Sequence, residues 1–468
     1  MKKDLSQFGI VGLGTMGSAL ARNIESRGLR VSVYNRHADK TAAFLKSYPD
    51  SGFTGSKSLR TFALSLATPR KIMLMVDAGP AVDAVIASLL PHLQKGDIIV
   101  DGGNSHYRDT QRREKALSEK SIFFIGCGVS GGEEGALKGP SLMPGGNAAA
   151  YKKVAPVFKA IAAKDFSGEP CVTRVGANGA GHYVKMVHNG IEYGIMQLLA
   201  ETYHLLSTVY GMPPPRIAQM FASWNRGKHH SYLFEIVQHV LLAQDDTKKG
   251  YLINAISDVA AAKGTGMWAS LDALDRGVPV PTITEAVYAR YISADKTRRA
   301  VLQKKYSHSY RRNGLPNNPA DLIGDALYAA IISTFAQGYD LIARAAQEEK
   351  WQINLAEISR IWEGGCIIRA KLLKTFHAAF AASPHAHLFE TKQVQSLVQR
   401  HAPKLALFVS GANSSGIPLP AFSSSLYYYE SIREHRLPSN LIQGLRDYFG
   451  AHGFERTDRS GTFHADWK

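Results

Sequence analysis

The sequence predicts an N-terminal doubly wound α/β domain, a large all-helical domain and a short C-terminal tail. Three observations carry this prediction. Short, nearly continuous apolar runs alternate with helical stretches over residues 1–178, the alternation stops near Asn178, and long segments with 3.6-residue periodicity follow without a convincing buried strand. The runs at 8–13, 31–34, 71–76, 98–100 and 122–125 read as strands buried on both faces of a parallel sheet, with helical stretches such as 17–27 and 81–90 between them. The proline groups at 213–215, 279–281 and 418–420 punctuate the helical part. The expected domains are therefore residues 1–178, 179–437 and 438–468. The last holds a short helix over 439–449 and a polar, glycine-containing tail, in which Phe463 and Trp467 favour docking over fraying.

The 468 residues amount to roughly three domains at ~150 residues each, more than one core supports. Apolar residues at 45% and charged residues at 20% give a globular balance rather than a disordered one. Cys127, Cys171 and Cys366 are too few and too scattered for a disulfide framework or a zinc knuckle, and their spacing suits a reducing compartment. Cys127 lies inside a glycine-rich motif, where it is either a reactive thiol or a small buried neighbour. The N-terminus lacks a signal-peptide apolar stretch, and the longest uncharged window, 405–429, is broken by glycines and prolines. A soluble, cytoplasmic protein is expected. The 55 basic and 39 acidic residues leave a net charge of +16, which attracts polyanions. Without an arginine-rich block, an aromatic RNA-binding pattern or a Cys/His finger, a phosphorylated substrate and cofactor suit that charge better than nucleic acid does. A weak internal repeat pairs 195–206 with 331–342, sharing Ile195/Ile331, Ala200/Ala336, Tyr203/Tyr339 and Leu205/Leu341, either by chance or by duplication.

Gly12-Leu13-Gly14-Thr15-Met16-Gly17 follows the first strand and opens a helix. In that context Gly12, Gly14 and Gly17 permit a tight turn, close approach of a pyrophosphate and helix–strand packing, the signature of a Rossmann-like dinucleotide site. Thr15 and Met16 stand at the helix N-terminus, where free N–H groups and the dipole favour the phosphates. At the end of the second strand, where an NAD enzyme usually carries Asp or Glu, the chain has Asn35-Arg36-His37. A carboxylate there would repel a 2′-phosphate, whereas Arg36 pairs with one, so NADP is the expected cofactor; the alternative is a solvated surface arginine.

The helical domain begins with a motif that places Lys185, His188, Asn189 and Glu192 at i, i+3, i+4 and i+7, on one helix face. Met186, Val187 and Ile191 fall on other sides and pack. Lys185 and Glu192 stand ~10.5 Å apart along the axis, close enough for both side chains to reach one small substrate. A lysine partly desolvated beside a cationic neighbour has a lowered pKa and takes a proton from an alcohol, and the glutamate returns one elsewhere. The bland alternative is a charged surface helix. A metal held by His188 and Glu192 lacks the HExxH motif or carboxylate cluster that would support it, so none is expected.

Over essentially its whole length the sequence resembles the decarboxylating 6-phosphogluconate dehydrogenases of the pentose phosphate pathway and gluconate use. The matching blocks are Asp101-Gly102-Gly103-Asn104-Ser105, residues 128–136 (GVSGGEEGA), 139–146 (GPSLMPGG), 185–194, Lys263-Gly264-Thr265-Gly266, 285–290 (EAVYAR) and 448–452 (YFGAH). The resemblance implies oxidation of C3 of 6-phosphogluconate by NADP, with Lys185 as base, loss of CO2 without a metal, and protonation of C1 by Glu192 to give ribulose 5-phosphate. It implies that Asn104, His188 and Asn189 hold the sugar hydroxyls and that Ser130, Gly131 and Gly132 form the carboxylate turn. It further implies that Tyr193, Lys263, Thr265 and Arg290 hold the phosphate. Arg446 and His452 would come from the partner's C-terminal segment, making the protein a homodimer with shared sites. Met75, Val76, Asp77 and Asn104 would border the cofactor. Asp77 stands where the family commonly has lysine and His37 where it has Ser or Thr; Ala262, Met267 and Ile195 are further departures. Two other readings remain: a β-hydroxyacid dehydrogenase for another acid, which would leave Lys263, Arg290, Arg446 and His452 without work, and a quiet sugar-phosphate or RNA binder.

If the positive charge captures an anionic substrate, kcat/KM will fall with added salt more steeply than kcat. Steady-state kinetics over a salt series checks this, and equal slopes would count against capture.

Overall fold

The computed structural model describes residues 5–262, 264–306 and 309–467. Its first part runs β1 (Phe8–Val11), α1 (Thr15–Glu25), β2 (Val31–Tyr34), α2 (Ala38–Ser47), β3 (Phe53–Gly55), α3 (Leu59–Leu64), β4 (Lys71–Leu74), α4 (Pro80–Leu89), β5 (Ile98–Asp101), α5 (Tyr107–Ser118), β6 (Phe123–Ser130), α6 (Gly132–Lys138), β7 (Ser141–Gly146) and α7 (Ala148–Ile161). The strands form one sheet in the order β3-β2-β1-β4-β5-β6-β7. All neighbours pair in parallel except β6 and β7, which are antiparallel. The alternating directions of strand side chains divide the sheet's core: Phe8, Ile10, Met73, Ile98 and Val100 pack on one face, and Val11, Ile72, Leu74 and Ile99 on the other.

The apolar runs locate five strands, and the structure corrects their extents. The runs at 8–13 and 71–76 end as strands at Val11 and Leu74, because the following residues turn away at the C-terminal edge of the sheet. The run at 122–125 is only the start of β6, which continues to Ser130 through Gly126 and Gly128, residues that weaken a strand by propensity. A Cβ at Gly126 would lie 2.5 Å from Thr110 Cγ2, and one at Gly128 would lie 2.5 Å from Lys185 Cβ. These glycines mark where a helix crosses against the sheet. β7 departs from the all-parallel expectation; as the outer strand it tolerates Pro144.

The helical part comprises α8 (Ala180–Thr208), α9 (Pro214–Asn225), α10 (Tyr232–Leu242), α11 (Thr265–Asp275), α12 (Pro281–Ala294), α13 (Lys296–Lys305), α14 (Ala320–Glu348), α15 (Leu355–Ile361), α16 (Leu372–Ala382), α17 (Lys392–Ser414) and α18 (Pro420–Ile432). α8 and α14 are each 29 residues long and pack on each other, and the repeated segments 195–206 and 331–342 lie within them. α9 packs on α10 as α15 packs on α16; α12 packs on α8 as α18 packs on α14, and α12 meets α18. α14 buries residues around its whole circumference, as a central helix must.

The tail holds α19 (Ser439–Gly450) and, unlike the strandless expectation, a small antiparallel pair, β8 (Phe454–Glu455) with β9 (Thr462–Phe463). Buried Asp447 ties it together, accepting hydrogen bonds from Gly453 N–H, Ala465 N–H, Trp467 Nε1 and His464 Nδ1. Among the described residues no helix is long and apolar enough to cross a membrane.

α8 begins packed across the paired strands β6 and β7 with Gly181 against backbone: an added Cβ would lie 2.2 Å from Gly126 O, 2.4 Å from Met143 O and 2.5 Å from Gly145 N. None of these atoms can swing aside. Gly181→Ala should lower stability by about 3 kcal/mol or more, whereas Gly14→Ala, with nothing within 4 Å of its Cβ, should unfold with the wild type. Thermal and denaturant unfolding of the two variants checks the contrast.

Candidate active site

The cofactor edge is built at the C-terminal ends of β2, β1, β4 and β5, which lie side by side in the sheet. Gly12 has φ +101°, and a Cβ there would come within 2.3 Å of Met75 O. A Cβ at Gly17 would come within 1.9 Å of Gly12 O, so the first turn of α1 lies directly on the loop. Gly14 caps α1 without a side-chain bond, and Thr15 beside it is exposed while Met16 is half-buried. Leu13 N–H donates to Asn35 Oδ1 at 3.1 Å, joining the loop to the end of β2. Arg36 and His37 are exposed there, and Arg36 Nε donates to His37 Nε2 at 3.0 Å. Met75 and Val76 are half-buried beyond β4, with Asp77 exposed next to them. The open glycine cradle at a bare helix N-terminus and the unblocked Arg36/His37 pair fit a phosphorylated dinucleotide.

The catalytic candidates stand on α8, where it faces the end of β6. Lys185 Nζ donates to Ser130 Oγ at 3.0 Å; Ser130 Oγ lies 3.3 Å from His188 Nε2, and His188 Nδ1 lies 3.1 Å from Asn189 Oδ1. With His188 neutral these bonds form one directed chain: the lysine donates to the serine, the serine to Nε2, and Nδ1–H to the asparagine. Glu192 Oε2 is 3.8 Å from His188 Nδ1. Burial pushes the Lys185 pKa down, against the pull of Glu192, and pushes the Glu192 pKa up, against Lys185 and Arg290. Burial and then Lys185 hold His188 well below its ordinary value. No cation adds to the lowering of the Lys185 pKa: desolvation carries it, and the adjoining His188 is itself pushed towards its neutral form.

Next along α8, buried Tyr193 carries the Arg290 guanidinium 3.5 Å from its ring centroid, and Arg290 Nη1 donates to Ala261 O at 2.7 Å. Gly266 lies against the same ring, where a Cβ would be 2.5 Å from Tyr193 Cδ2. Thr265, buried in the first turn of α11, is the residue next to Gly266 in the chain. Gly264 caps α11 at φ +89° without a side-chain bond. Lys263 lies outside the described residues. Gly131 and Gly132, with φ +112° and +63°, make the turn after Ser130. Asn104 is exposed in the loop beyond β5, and the Asp101 carboxylate shapes that loop by accepting from Gly103 N–H and Ser105 Oγ–H.

Arg446 and His452 are not brought to this cluster. Both are exposed on the tail, where Arg446 Nη1 donates to Gln443 Oε1 and His452 meets the Phe449 ring. Sequence reasoning missed one wall of the site, the turn between α15 and α16. Trp362 sets its ring edge-on to His188 with centroids 5.5 Å apart, and Gly365 O closes on Gly131, where a Cβ would be 2.6 Å away. Cys366 is buried near Lys185, its thiol pushed up to about 12. The Gly364-Gly365 pair was the available signal. Cys127 is also buried, and desolvation raises its pKa far from thiolate chemistry, which favours the packing alternative. Among the described residues no three His, Cys, Asp or Glu side chains are grouped to hold a metal ion.

Two family descriptions match the chain: "NAD binding domain of 6-phosphogluconate dehydrogenase" over residues 7–176 and "6-phosphogluconate dehydrogenase, C-terminal domain" over 181–467. The NADP(+)-dependent, decarboxylating 6-phosphogluconate dehydrogenase of Bacillus subtilis (strain 168) is 48% identical over 464 residues, spanning 98% of this chain and 99% of that protein. The decarboxylating enzyme of Lactococcus lactis subsp. lactis (strain IL1403) is 49% identical over 465 residues, 99% of this chain and 98% of that protein. Among solved structures, Plasmodium falciparum 6-phosphogluconate dehydrogenase, described in apo form and in complex with NADP+ and with 6-phosphogluconate, superposes with a TM-score of 0.94 at 39% identity. That match covers 98% of this chain and 100% of the other.

A lysine whose pKa is lowered by folding binds its proton more weakly in the native than in the unfolded state. The penalty is fully present below the folded pKa and is relieved as pH rises from there towards the unfolded value of ~10.4. Lys185→Met should therefore raise Tm at neutral pH while abolishing turnover, and the gain should shrink in alkaline buffer. Calorimetry of both proteins across pH checks it; a lower Tm in the variant would show that the lysine's hydrogen bonds outweigh its desolvation.

Proposed function

The chain belongs to the 6-phosphogluconate dehydrogenases, and on that premise we propose that Lys185 and Glu192 are the base and acid of a metal-free oxidative decarboxylation of 6-phosphogluconate. It is an NADP-dependent, decarboxylating oxidoreductase. Gly12, Gly14, Thr15, Met16, Gly17, Asn35, Arg36 and His37 would hold the cofactor, with Met75, Val76, Asp77 and Asn104 along its nicotinamide side. Bound there, NADP supplies the hydride acceptor. Ser130, Gly131 and Gly132 receive the substrate carboxylate, and Asn104, His188 and Asn189 its hydroxyls. Tyr193, Lys263, Thr265 and Arg290 receive the phosphate.

Lys185, kept in part unprotonated by burial, takes the proton of the C3 hydroxyl as the C3 hydrogen leaves as hydride. The product of that step is a 3-keto acid, β to its carboxylate. The Lys185 ammonium then donates to the new carbonyl oxygen, so the electrons of the breaking C1–C2 bond have a place to go and CO2 departs. Glu192, whose pKa is raised, delivers a proton to the carbon that lost CO2, giving ribulose 5-phosphate. One hydride and one CO2 leave the substrate, and the proton lost at O3 is matched by the proton gained at carbon. The supporting observation is the buried chain from Lys185 through Ser130 to His188 and Asn189, with Glu192 on the same helix face.

The reading includes a homodimer with shared sites. Leu441, Leu445, Tyr448 and Phe449 line one face of α19 and are 54–72% exposed within a single chain. A second copy covering that stripe would carry Arg446 and His452 towards the phosphate end of its neighbour's site. Cytoplasmic work is part of the same reading, in keeping with three buried free cysteines.

The test is formation of reduced nicotinamide and CO2 from 6-phosphogluconate and NADP, which should survive chelator and be lost in Lys185→Met and Glu192→Gln. Sharing of sites has its own measurement. Mixing inactive Lys185→Met with inactive Arg446→Ala and re-associating the subunits should restore about a quarter of wild-type activity, because half the dimers then own one intact site. Failure of the mixture to recover would sink the shared-site arrangement.

A further inference from the structure

We propose that His182 is a positioning residue: it locks the loop that carries Asn104 to the helix that carries Lys185. It sits three residues before Lys185 on α8 and is 2% exposed. Its Nε2 lies 3.1 Å from the Asp101 carbonyl oxygen, and its Nδ1 lies 2.6 Å from Thr110 Oγ1. A carbonyl oxygen only accepts, so Nε2 carries the hydrogen; in the neutral ring Nδ1 then accepts from the Thr110 hydroxyl, whose one hydrogen also faces the more distant His106 carbonyl oxygen at 3.3 Å. The ring is thereby fixed in one tautomer between the end of β5, the side of α5 and the core of α8. Burial lowers its pKa, against the pull of the Asp101 carboxylate, and so favours that neutral form. The slot exists because residue 126 is glycine: a Cβ there would lie 2.9 Å from His182 Nδ1.

Asp101 is the pivot of the 101–105 loop. Its carboxylate fixes the loop's internal shape through Gly103 N–H at 3.1 Å and Ser105 Oγ at 2.7 Å, while its carbonyl is held from outside by His182. Asn104 stands exposed at the tip, next to where cofactor and substrate meet in the reading above, on which this inference rests. Hydride transfer demands that groups held by the sheet and groups held by α8 keep sub-ångström register. His182 is a direct polar tie between the two supports, one turn from the base. It does not touch the reacting atoms.

The variants are His182→Ala, His182→Gln, whose amide both donates and accepts, and the milder Thr110→Val, which removes the bond that orients the ring, together with the hydroxyl's longer bond to His106 O, and leaves the tie to Asp101 in place. Hydrogen exchange of the 101–107 backbone measures the lock by itself: protection should fall in His182→Ala, fall less in Thr110→Val and return in His182→Gln. In parallel, kcat should drop about 10- to 100-fold in His182→Ala, with a larger deuterium isotope effect from substrate labelled at C3. Binding of 2′,5′-ADP, which reports the Arg36 end of the cofactor edge, should stay within about two-fold of wild type, a split that general loss of structure would not give. Unchanged exchange in His182→Ala overturns the lock. Lost protection with unchanged kcat and isotope effect overturns its role in positioning. A wild type inactive on 6-phosphogluconate sinks the reading of the reaction instead, and the exchange result still decides the lock.

Discussion

The site depends on how closely α8 lies against the backbone of β6 and β7. Side chains normally hold a helix off a sheet, but here Gly126, Gly128, Gly145 and Gly181 remove that spacer, so helix and strands meet backbone to backbone or backbone to Cβ. The consequence is positional. Lys185 is pressed onto Gly128 and reaches only as far as Ser130, two residues on, where β6 ends in the left-handed turn of Gly131 and Gly132. Because β6 is also the neighbour of β5, the same approach sets the α8 face beside the Asn104 loop and the edge where the glycine cradle opens. A helix held even one side chain further out would carry the same residues with no common site between them.

Burial then sets the chemistry. One desolvated helix face holds an amine and a carboxyl, and low polarity disfavours the charged form of each, so the two pKa values move towards each other: more of the amine is left free of its proton and more of the carboxyl keeps one. His188 between them is driven to neutrality and serves as a hydrogen-bonding link, not as a charge. Their mutual attraction opposes both shifts, so the balance depends on keeping water out. The Trp362 edge over His188 and the closed turn at Gly365 provide that wall from a distant part of the chain.

Much of this was legible in residue order. The first glycine loop, the Asn35-Arg36-His37 run and the i, i+3, i+4, i+7 set on α8 are local patterns, and local patterns survive in a linear reading. Residues 185, 188, 189 and 192 share a face because helical geometry requires it, whatever surrounds them. The second half of β6 was not legible, because strand propensity penalises glycine while the close crossing of α8 demands it. β7 was hidden for the same reason: Pro144, Gly145 and Gly146 read as loop until an outer strand position is known. Trp362, Gly365 and Cys366 reach the site only through tertiary packing, about 180 residues along the chain from the helix they cover, and no period or spacing points to them. The neutrality of His188 likewise needs its burial, which no local pattern states.

The tail has a kinetic consequence. Asp447 gathers Gly453, His464, Ala465 and Trp467 around α19, so contacts within the single chain are enough to shape this segment. A disordered extension would surrender conformational entropy on every association and would search through many shapes. In the proposed homodimer, a segment already shaped would give up mainly rigid-body freedom, which favours a long-lived pairing of subunits over a reversible exchange. Association would then resemble the fitting of two finished surfaces, and the order of events in assembly would be folding first and pairing second.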